Sequence, residues 1–270
     1  MKERIDVLQG NRNLHRLEAP YYDRLHPEIW NAFEQNKVWS DIKHIRRLLK
    51  RSPLRVLDVG CGTGNTALKF FAAGDSVDGV DLSLEMLAEF RHKKPENNRL
   101  HLFQTDADTF LATANNYDVI SFSSVLHHLP DYRATLFRCD ELLVPGGVLY
   151  VTHEPLLKAE RTQPAPIQNM LTRIGWRVWG IWRHMMRQSF PQLNYSLSDV
   201  HVDTGISPDD LLDNLEVLGR KTIFVRRYRV EPLAVVAWIN NTLFGCRPQQ
   251  FAFMAQKLSM NDQKTYHDQD

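Results

Sequence analysis

Cysteine is scarce in this sequence. Among 270 residues there are only Cys61, Cys139 and Cys246. They lie far apart and form no Cys-x-x-Cys pair, so neither a zinc site nor a disulfide framework is expected. Long apolar runs are also missing; none approaches the ~18 residues of a membrane-spanning helix. The opening residues Met1-Lys2-Glu3-Arg4-Ile5-Asp6 carry charge where a secretory signal would be apolar. A reducing, cytoplasmic setting is therefore expected. Nor is there an excess of one charge: 33 basic against 32 acidic residues leave a formal net charge of +1. That balance lacks the basic field of a general nucleic-acid binder. No internal repeat or low-complexity tract is visible.

What is present is a hydrophobic share of 43%, enough for one sizeable core with insertions. Residues 1–51 read as a helical cap, with Trp30, Phe33, Val38, Ile42, Ile45 and Leu48-Leu49 at near-helical spacing. Ser52-Pro53 stops that pattern. The rhythm then alternates every 20–25 residues. Strands are expected at Arg55–Val59, Ser76–Val80, Leu100–Gln104, Tyr117–Phe122 and Val148–Thr152. Helices are expected at Asn65–Phe71, at Leu84–His92 behind the N-cap Ser83, and at Tyr132–Leu143. Such alternation is the signature of a parallel sheet with helices on both faces, here over 52–155. After Glu154 the rhythm breaks, and 156–206 reads as a lid insertion. The core resumes over 207–258 with a helix from Pro208 to Leu218 and strands at Thr222–Val230 and Phe251–Ala255. A second insertion, 231–248, separates these strands, and 259–270 is a polar tail.

One loop concentrates the chemistry. Asp58-Val59-Gly60-Cys61-Gly62-Thr63-Gly64 follows a strand and precedes a helix, so its backbone can turn sharply beneath a ligand at a helix N-terminus. A dinucleotide loop would place its third glycine at position 65, where Asn65 stands. Asp58, just before the glycines, would repel a pyrophosphate but can hold an ammonium group. Asp81, at the end of the second strand, suits the hydroxyls of a ribose.

The pattern now resembles a family. Leu57 to Gly64 resembles the first motif of class I S-adenosylmethionine-dependent methyltransferases, and Val80 to Leu87 resembles their ribose-binding segment. Gln104-Thr105-Asp106-Ala107 resembles their adenine-contacting turn, Tyr117 to Leu129 their fourth-strand motif, and Leu142 to Leu149 the turn before strand five. The resemblance implies a Rossmann-like, seven-stranded, mostly parallel sheet with helices on both faces, an antiparallel last strand and helical lids. It implies S-adenosyl-L-methionine as cofactor. In that reading Gly60, Cys61, Gly62 and Gly64 form the loop under the methionine moiety, with Asp58 near its ammonium. Asp81 binds the ribose, Leu82 and Met86 line the adenine, Asp106 and Ala107 hold its edge, and Ser123 lies by the methionine end. Tyr22, in Tyr21-Tyr22-Asp23, belongs to a helix that closes over the cofactor. His128 matches a histidine common in the family and, with His153, is the candidate for a catalytic base; a lining role is the alternative for both. Asp118 reads as structural.

The acceptor is expected to be a small molecule. No Asn/Asp-Pro-Pro-Tyr/Phe motif follows strand four, where Ser123-Ser124-Val125-Leu126 stands instead, so nucleic acid is disfavoured. Two apolar, tryptophan-bearing lid segments, 173–187 and Leu233–Phe244, favour a bulky or lipid-like acceptor. On a helical wheel of 173–187, Trp176, Val178, Trp179, Ile181, Trp182, Met185 and Met186 form a wide apolar arc. Arg173, Arg177, Arg183, His184 and Arg187 fill the rest. Three readings stay open: a lid packed on the core, an acceptor pocket with arginines for a phosphate or carboxylate, or a peripheral contact with an anionic membrane. Two rivals to the enzyme also remain: a non-catalytic binding protein on the same fold, and a nicotinamide-dependent oxidoreductase.

Overall fold

The computed structural model describes residues 4–161, 166–185, 205–242 and 248–258. The expectations for Met186, Arg187, Cys246 and the tail 259–270 lie outside these residues.

The centre is a seven-stranded sheet. Its strands are β1 (Arg55–Val59), β2 (Ser76–Asp81), β3 (Leu100–Gln104), β4 (Tyr117–Ser123), β5 (Leu143–Pro155), β6 (Arg220–Tyr228) and β7 (Gln250–Lys257). Their order across the sheet is β3-β2-β1-β4-β5-β7-β6. β7 runs antiparallel to both neighbours, β5 and β6, while β1 to β5 are parallel. The central strands are apolar almost throughout because both faces are covered. One layer packs Leu57, Ile120, Phe122 and Val151 against Leu136, Cys139 and Leu211. The other packs Val56, Val119, Val148 and Tyr150 against Ile42, Ile45, Phe70 and Phe90.

The N-terminal region forms α1 (Arg4–Glu18), α2 (Tyr22–Leu25), α3 (Pro27–Trp30) and α4 (Ala32–Leu49). α4 buries Val38, Ile42 and Ile45 and stops at Lys50, which takes a left-handed conformation with φ of 50°. Between the strands lie α5 (Ala67–Ala72), α6 (Leu84–Lys93), α7 (Ala107–Leu111) and α8 (Tyr132–Leu142). Ser83 caps α6, accepting the Met86 N–H at 3.3 Å. The C-terminal helices are α9 (Pro166–Met185), α10 (Pro208–Val217) and α11 (Ala234–Thr242).

Some expectations shift. The helix after the glycine loop starts at Ala67 rather than Asn65, because the Asn65 side chain is held by Gln35 and Lys69 outside the helix. α7 was not expected, although Asp106 supplies its cap by accepting the Thr109 N–H. β6 ends at Tyr228 because Arg229 turns away to pair with Glu231. β5 reaches Pro155, past an irregularity at which His153 adopts φ of 59°. Asp118 is bound by Arg51 and by the Arg55 N–H, tying β4 to the start of β1.

Candidate active site

Ligands in such sheets bind at the carboxyl ends of the strands, beside the point where the crossovers diverge to opposite faces. Here that point lies between β1 and β4. A cavity of about 690 Å³, including its open mouth, lies there, lined by Gly60, Gly62, Asp81, Leu82, Met86, Asp106, Ala107, Ser123 and His128. A smaller adjoining cavity of about 360 Å³ is lined by Tyr22, Asp58, Gly60, Cys61, Gly62 and Ser123. Tyr22 lines both. Gly64 and His153 line neither.

The glycine loop explains itself atom by atom. Gly60 has φ of +65°, and a Cβ there would sit 2.4 Å from the Val125 side chain. Gly64 has φ of +92°, and its Cβ would meet the Phe90 ring at 2.7 Å. Gly62 differs: φ is +51°, yet nothing lies within 4 Å of its absent Cβ. The open space above Gly62 is the cradle itself. We expect Gly64→Ala to destabilise the fold by about 2–4 kcal/mol through strain and overpacking. Gly62→Val should leave stability within about 2 kcal/mol while obstructing the cradle. Urea unfolding together with cofactor titration of both variants checks the contrast.

Asp81 is fixed by the loop it serves. Its Oδ2 accepts the Gly62 N–H and its Oδ1 the Ser83 N–H, both at 2.8 Å. Removal from solvent pushes this carboxyl up. Its remaining lone pairs can accept hydroxyl donors from the cavity. Asp58 is buried deeper, 2% exposed. Ser121 donates its hydroxyl to Asp58 at 2.6 Å, and Ala67 its N–H at 3.0 Å. Burial nonetheless pushes the Asp58 carboxyl up to about 7. Burial also holds the Cys61 thiol far above its usual range, which leaves it inert as a nucleophile. Asp106 accepts bonds from Thr109 and pairs with Arg4 at 2.7 Å.

The fourth-strand loop is held by an acid at the end of β5. The carboxylate of Glu154, 0% exposed, accepts the N–H groups of Val125 at 2.6 Å, Leu126 at 2.9 Å and His127 at 3.3 Å. The His127 Nδ1 lies 2.9 Å from the same carboxylate. Burial alone would raise Glu154, but these bonds outweigh it and hold the carboxyl down. The anchored loop presents Ser124, Val125 and His128 to the larger cavity. The His128 ring also packs edge-on against His15, centroids 5.1 Å apart. His153 is 1% exposed; its N–H donates to the Tyr228 hydroxyl at 2.8 Å, and its Nε2 lies 3.6 Å from Glu34.

The N-terminal cap closes the site from above. Leu8, Asn11 and His15 of α1 line the larger cavity, and Glu28 and Ile29 line the smaller. Sequence reasoning did not find them, because no local motif marks a residue that reaches the site by docking across the fold. Asn11 donates to the His128 carbonyl at 3.0 Å, and Thr63 to Asp23 at 2.5 Å. His26 stands between Glu18 at 2.8 Å and Glu28 at 3.1 Å. Burial would lower its pKa, but the flanking carboxylates raise it to about 10. The triad thus remains charged through neutral pH.

Residues 57–149 match a family described as a methyltransferase domain. The matched segment takes in the glycine loop, Asp81 and the loop after β4, and it supports the resemblance to class I S-adenosylmethionine-dependent methyltransferases. The cofactor of that family is S-adenosyl-L-methionine. Among curated relatives, the chain matches a demethylmenaquinone methyltransferase from Staphylococcus haemolyticus at 33% identity, over 47% of this chain and 54% of that one. It matches a ubiquinone biosynthesis O-methyltransferase from Aromatoleum aromaticum at 29%, over 52% of this chain and 63% of that one. The chain thus spans about half to two thirds of the length of these two relatives. The solved magnesium protoporphyrin IX methyltransferase from Synechocystis PCC 6803 with bound SAM aligns over 95% of this chain and 100% of that one. Its TM-score is 0.58 at 15% identity, a likeness of fold.

Two observations fit that cofactor to this chain: the open cradle over Gly62, and the Asp81 carboxylate held at the cavity wall by two backbone donors.

Proposed function

We propose that this chain transfers the methyl group of S-adenosyl-L-methionine to a small, hydrophobic, lipid-like acceptor. The observation that carries the reading is the apolar wall of the larger cavity, where Leu8, Val59, Val80, Val125 and Leu129 stand around His128, with α9 and α11 tied to the cap that walls the smaller one. α9 follows β5, and α11 lies between β6 and β7. The Glu231 side chain accepts from Thr172 of α9 and Asn240 of α11, each at 2.8 Å. Its backbone carbonyl accepts from Asn31 at 2.7 Å, two residues beyond Ile29 in the wall of the smaller cavity. The names of the two curated relatives support the same acceptor class.

When bound, the cofactor supplies an electrophilic methyl group on a sulfonium centre. The chain's own residues align and enclose it. Asp81 would receive the ribose hydroxyls, with Leu82 and Met86 against the base and Asp106-Ala107 at its edge. Gly60, Gly62 and Ser123 would lie under the methionine end, and Tyr22 over it. Cys61 and Gly64 shape the loop. His128, in the cavity wall, would take a proton from an acceptor hydroxyl. His153 would need the cap to move before it could do so.

Asp58 gives a pH signature. A carboxyl near 7 in the free protein is pulled down by an ammonium beside it. Cofactor binding should therefore release most of one proton at pH 6 and almost none at pH 8. In the free protein the raised carboxyl keeps a proton that the unfolded chain has shed. Its contribution to stability is thus full below ~4, falls as pH rises to ~7, and is flat beyond. Calorimetry in buffers of differing ionisation enthalpy measures the release, which Asp58→Asn should abolish.

The acceptor class is tested with the full chain, labelled S-adenosyl-L-methionine and a cell extract partitioned between organic and aqueous phases. Label in the organic phase is expected; label confined to polar metabolites would overturn the proposal. With the acceptor identified, His128→Gln should lower kcat by about a hundredfold with cofactor affinity unchanged.

A further inference from the structure

α9 is turned inside out. A surface helix normally packs its apolar stripe on the core. Here the buried side is polar: Gln168 is 1% and Thr172 8% exposed. Thr172 donates to Glu231, and Gly175 sits against Pro232 and Leu233 ahead of α11. The outer side carries Ile167, Met170, Ile174, Val178 and Ile181, each between 45% and 61% exposed. Their three- and four-residue spacing makes one stripe along the helix. At ~100° per residue, Arg173, Arg177 and His184 fall together on one flank of that stripe, and all three are exposed. α11 adds Val235 and Trp238, 60% and 47% exposed. Aligned exposure of this kind marks a contact surface, unlike scattered surface leucines.

Charge identifies what covers it. Between Glu160 and Asp199 the sequence has no acidic residue, while it carries Arg161, Arg173, Arg177, Arg183 and Arg187. Two copies meeting through α9 would bring arginine flanks together with no carboxylate on the helix to neutralise them. An anionic bilayer offers what both parts of the surface need: acyl chains for the stripe and phosphates for the guanidinium groups. No helix among the described residues is long and apolar enough to cross a membrane, so the contact lies in the interface plane.

We propose that α9, with α11 beside it, docks this chain on the surface of an anionic lipid bilayer. The inference shares α9 and α11 with the acceptor reading but rests on their outer faces, and uses neither the cofactor cleft nor the methyl transfer. The full chain should co-sediment with phosphatidylcholine–phosphatidylglycerol vesicles and at least about tenfold less with phosphatidylcholine alone or in high salt. Arg173→Glu with Arg177→Glu should lower binding to the mixed vesicles about tenfold or more. Ile174→Asp with Ile181→Asp should do the same through the stripe. Both pairs lie on the surface and line neither cavity, so circular dichroism and calorimetric cofactor affinity should match the parent chain. Absence of binding to mixed vesicles, or binding that neither pair weakens, overturns the proposal. A dimer in light scattering that Ile174→Asp dissolves, without vesicle binding, assigns the face to a second copy and overturns it too. Cofactor affinity, read separately, tells failure of the docking from failure of the methyltransferase reading.

Discussion

Asp81→Ala is expected to weaken S-adenosyl-L-methionine binding by at least about a hundredfold, the worth of one to two hydrogen bonds to a charged acceptor. The loss has two sources. The proposed contact of the carboxylate with the ribose goes, and the Gly62 and Ser83 N–H groups lose the acceptor that shapes the loop. Asp81→Asn separates them. Its amide oxygen can keep one backbone bond, but its NH₂ faces the other donor and its charge is gone, so its affinity should fall between parent and alanine. Titration calorimetry measures both, with circular dichroism checking the fold. A change below about threefold for Asp81→Ala would remove the ribose assignment.

The second large effect is on stability. Glu154→Ala should destabilise the protein by about 3–5 kcal/mol, because it strands buried donors that the carboxylate satisfied. Those donors are the N–H groups of Val125, Leu126 and His127, with the His127 ring beside them. Glu154→Gln keeps the shape and one acceptor oxygen and should cost less, about 1–3 kcal/mol. A carboxyl held below its usual range stabilises the fold above the unfolded-chain value, ~4.3, and its contribution fades as pH falls below that. The difference in urea stability between parent and Glu154→Ala should therefore be full at neutral pH and shrink in acid. Because the anchored loop carries Ser124, Val125 and His128 into the cavity wall, cofactor affinity should drop as well.

Much of the site was legible because its signals are local. Gly60 and Gly62 show left-handed φ values, which a tight bend under a ligand demands and a glycine spacing announces. Asp81 and Ser83 sit at a strand end and a helix start, positions that pattern and capping chemistry locate from neighbouring residues alone. Glu154 was visible only as an acid near a strand end. Its role as the anchor of the β4 loop needed β4 and β5 side by side. Likewise, the amphipathic wheel of 173–187 marked a strongly two-sided helix, but no periodicity states which side faces inward. The buried network of Glu231, Thr172 and Asn240 drew the polar side in and left Ile174 and Ile181 outside.

The order of strands and helices, the glycine bend and the Asp81 carboxylate at its strand end were set by residues close together in the chain, since period, capping and turn geometry are short-range properties. The closure of the cleft by α1, the charged His26 triad, the Glu154 anchor and the outward apolar face of α9 were decided only when distant segments packed. Each depends on which polar group finds a buried partner, and that is a property of the assembled interior.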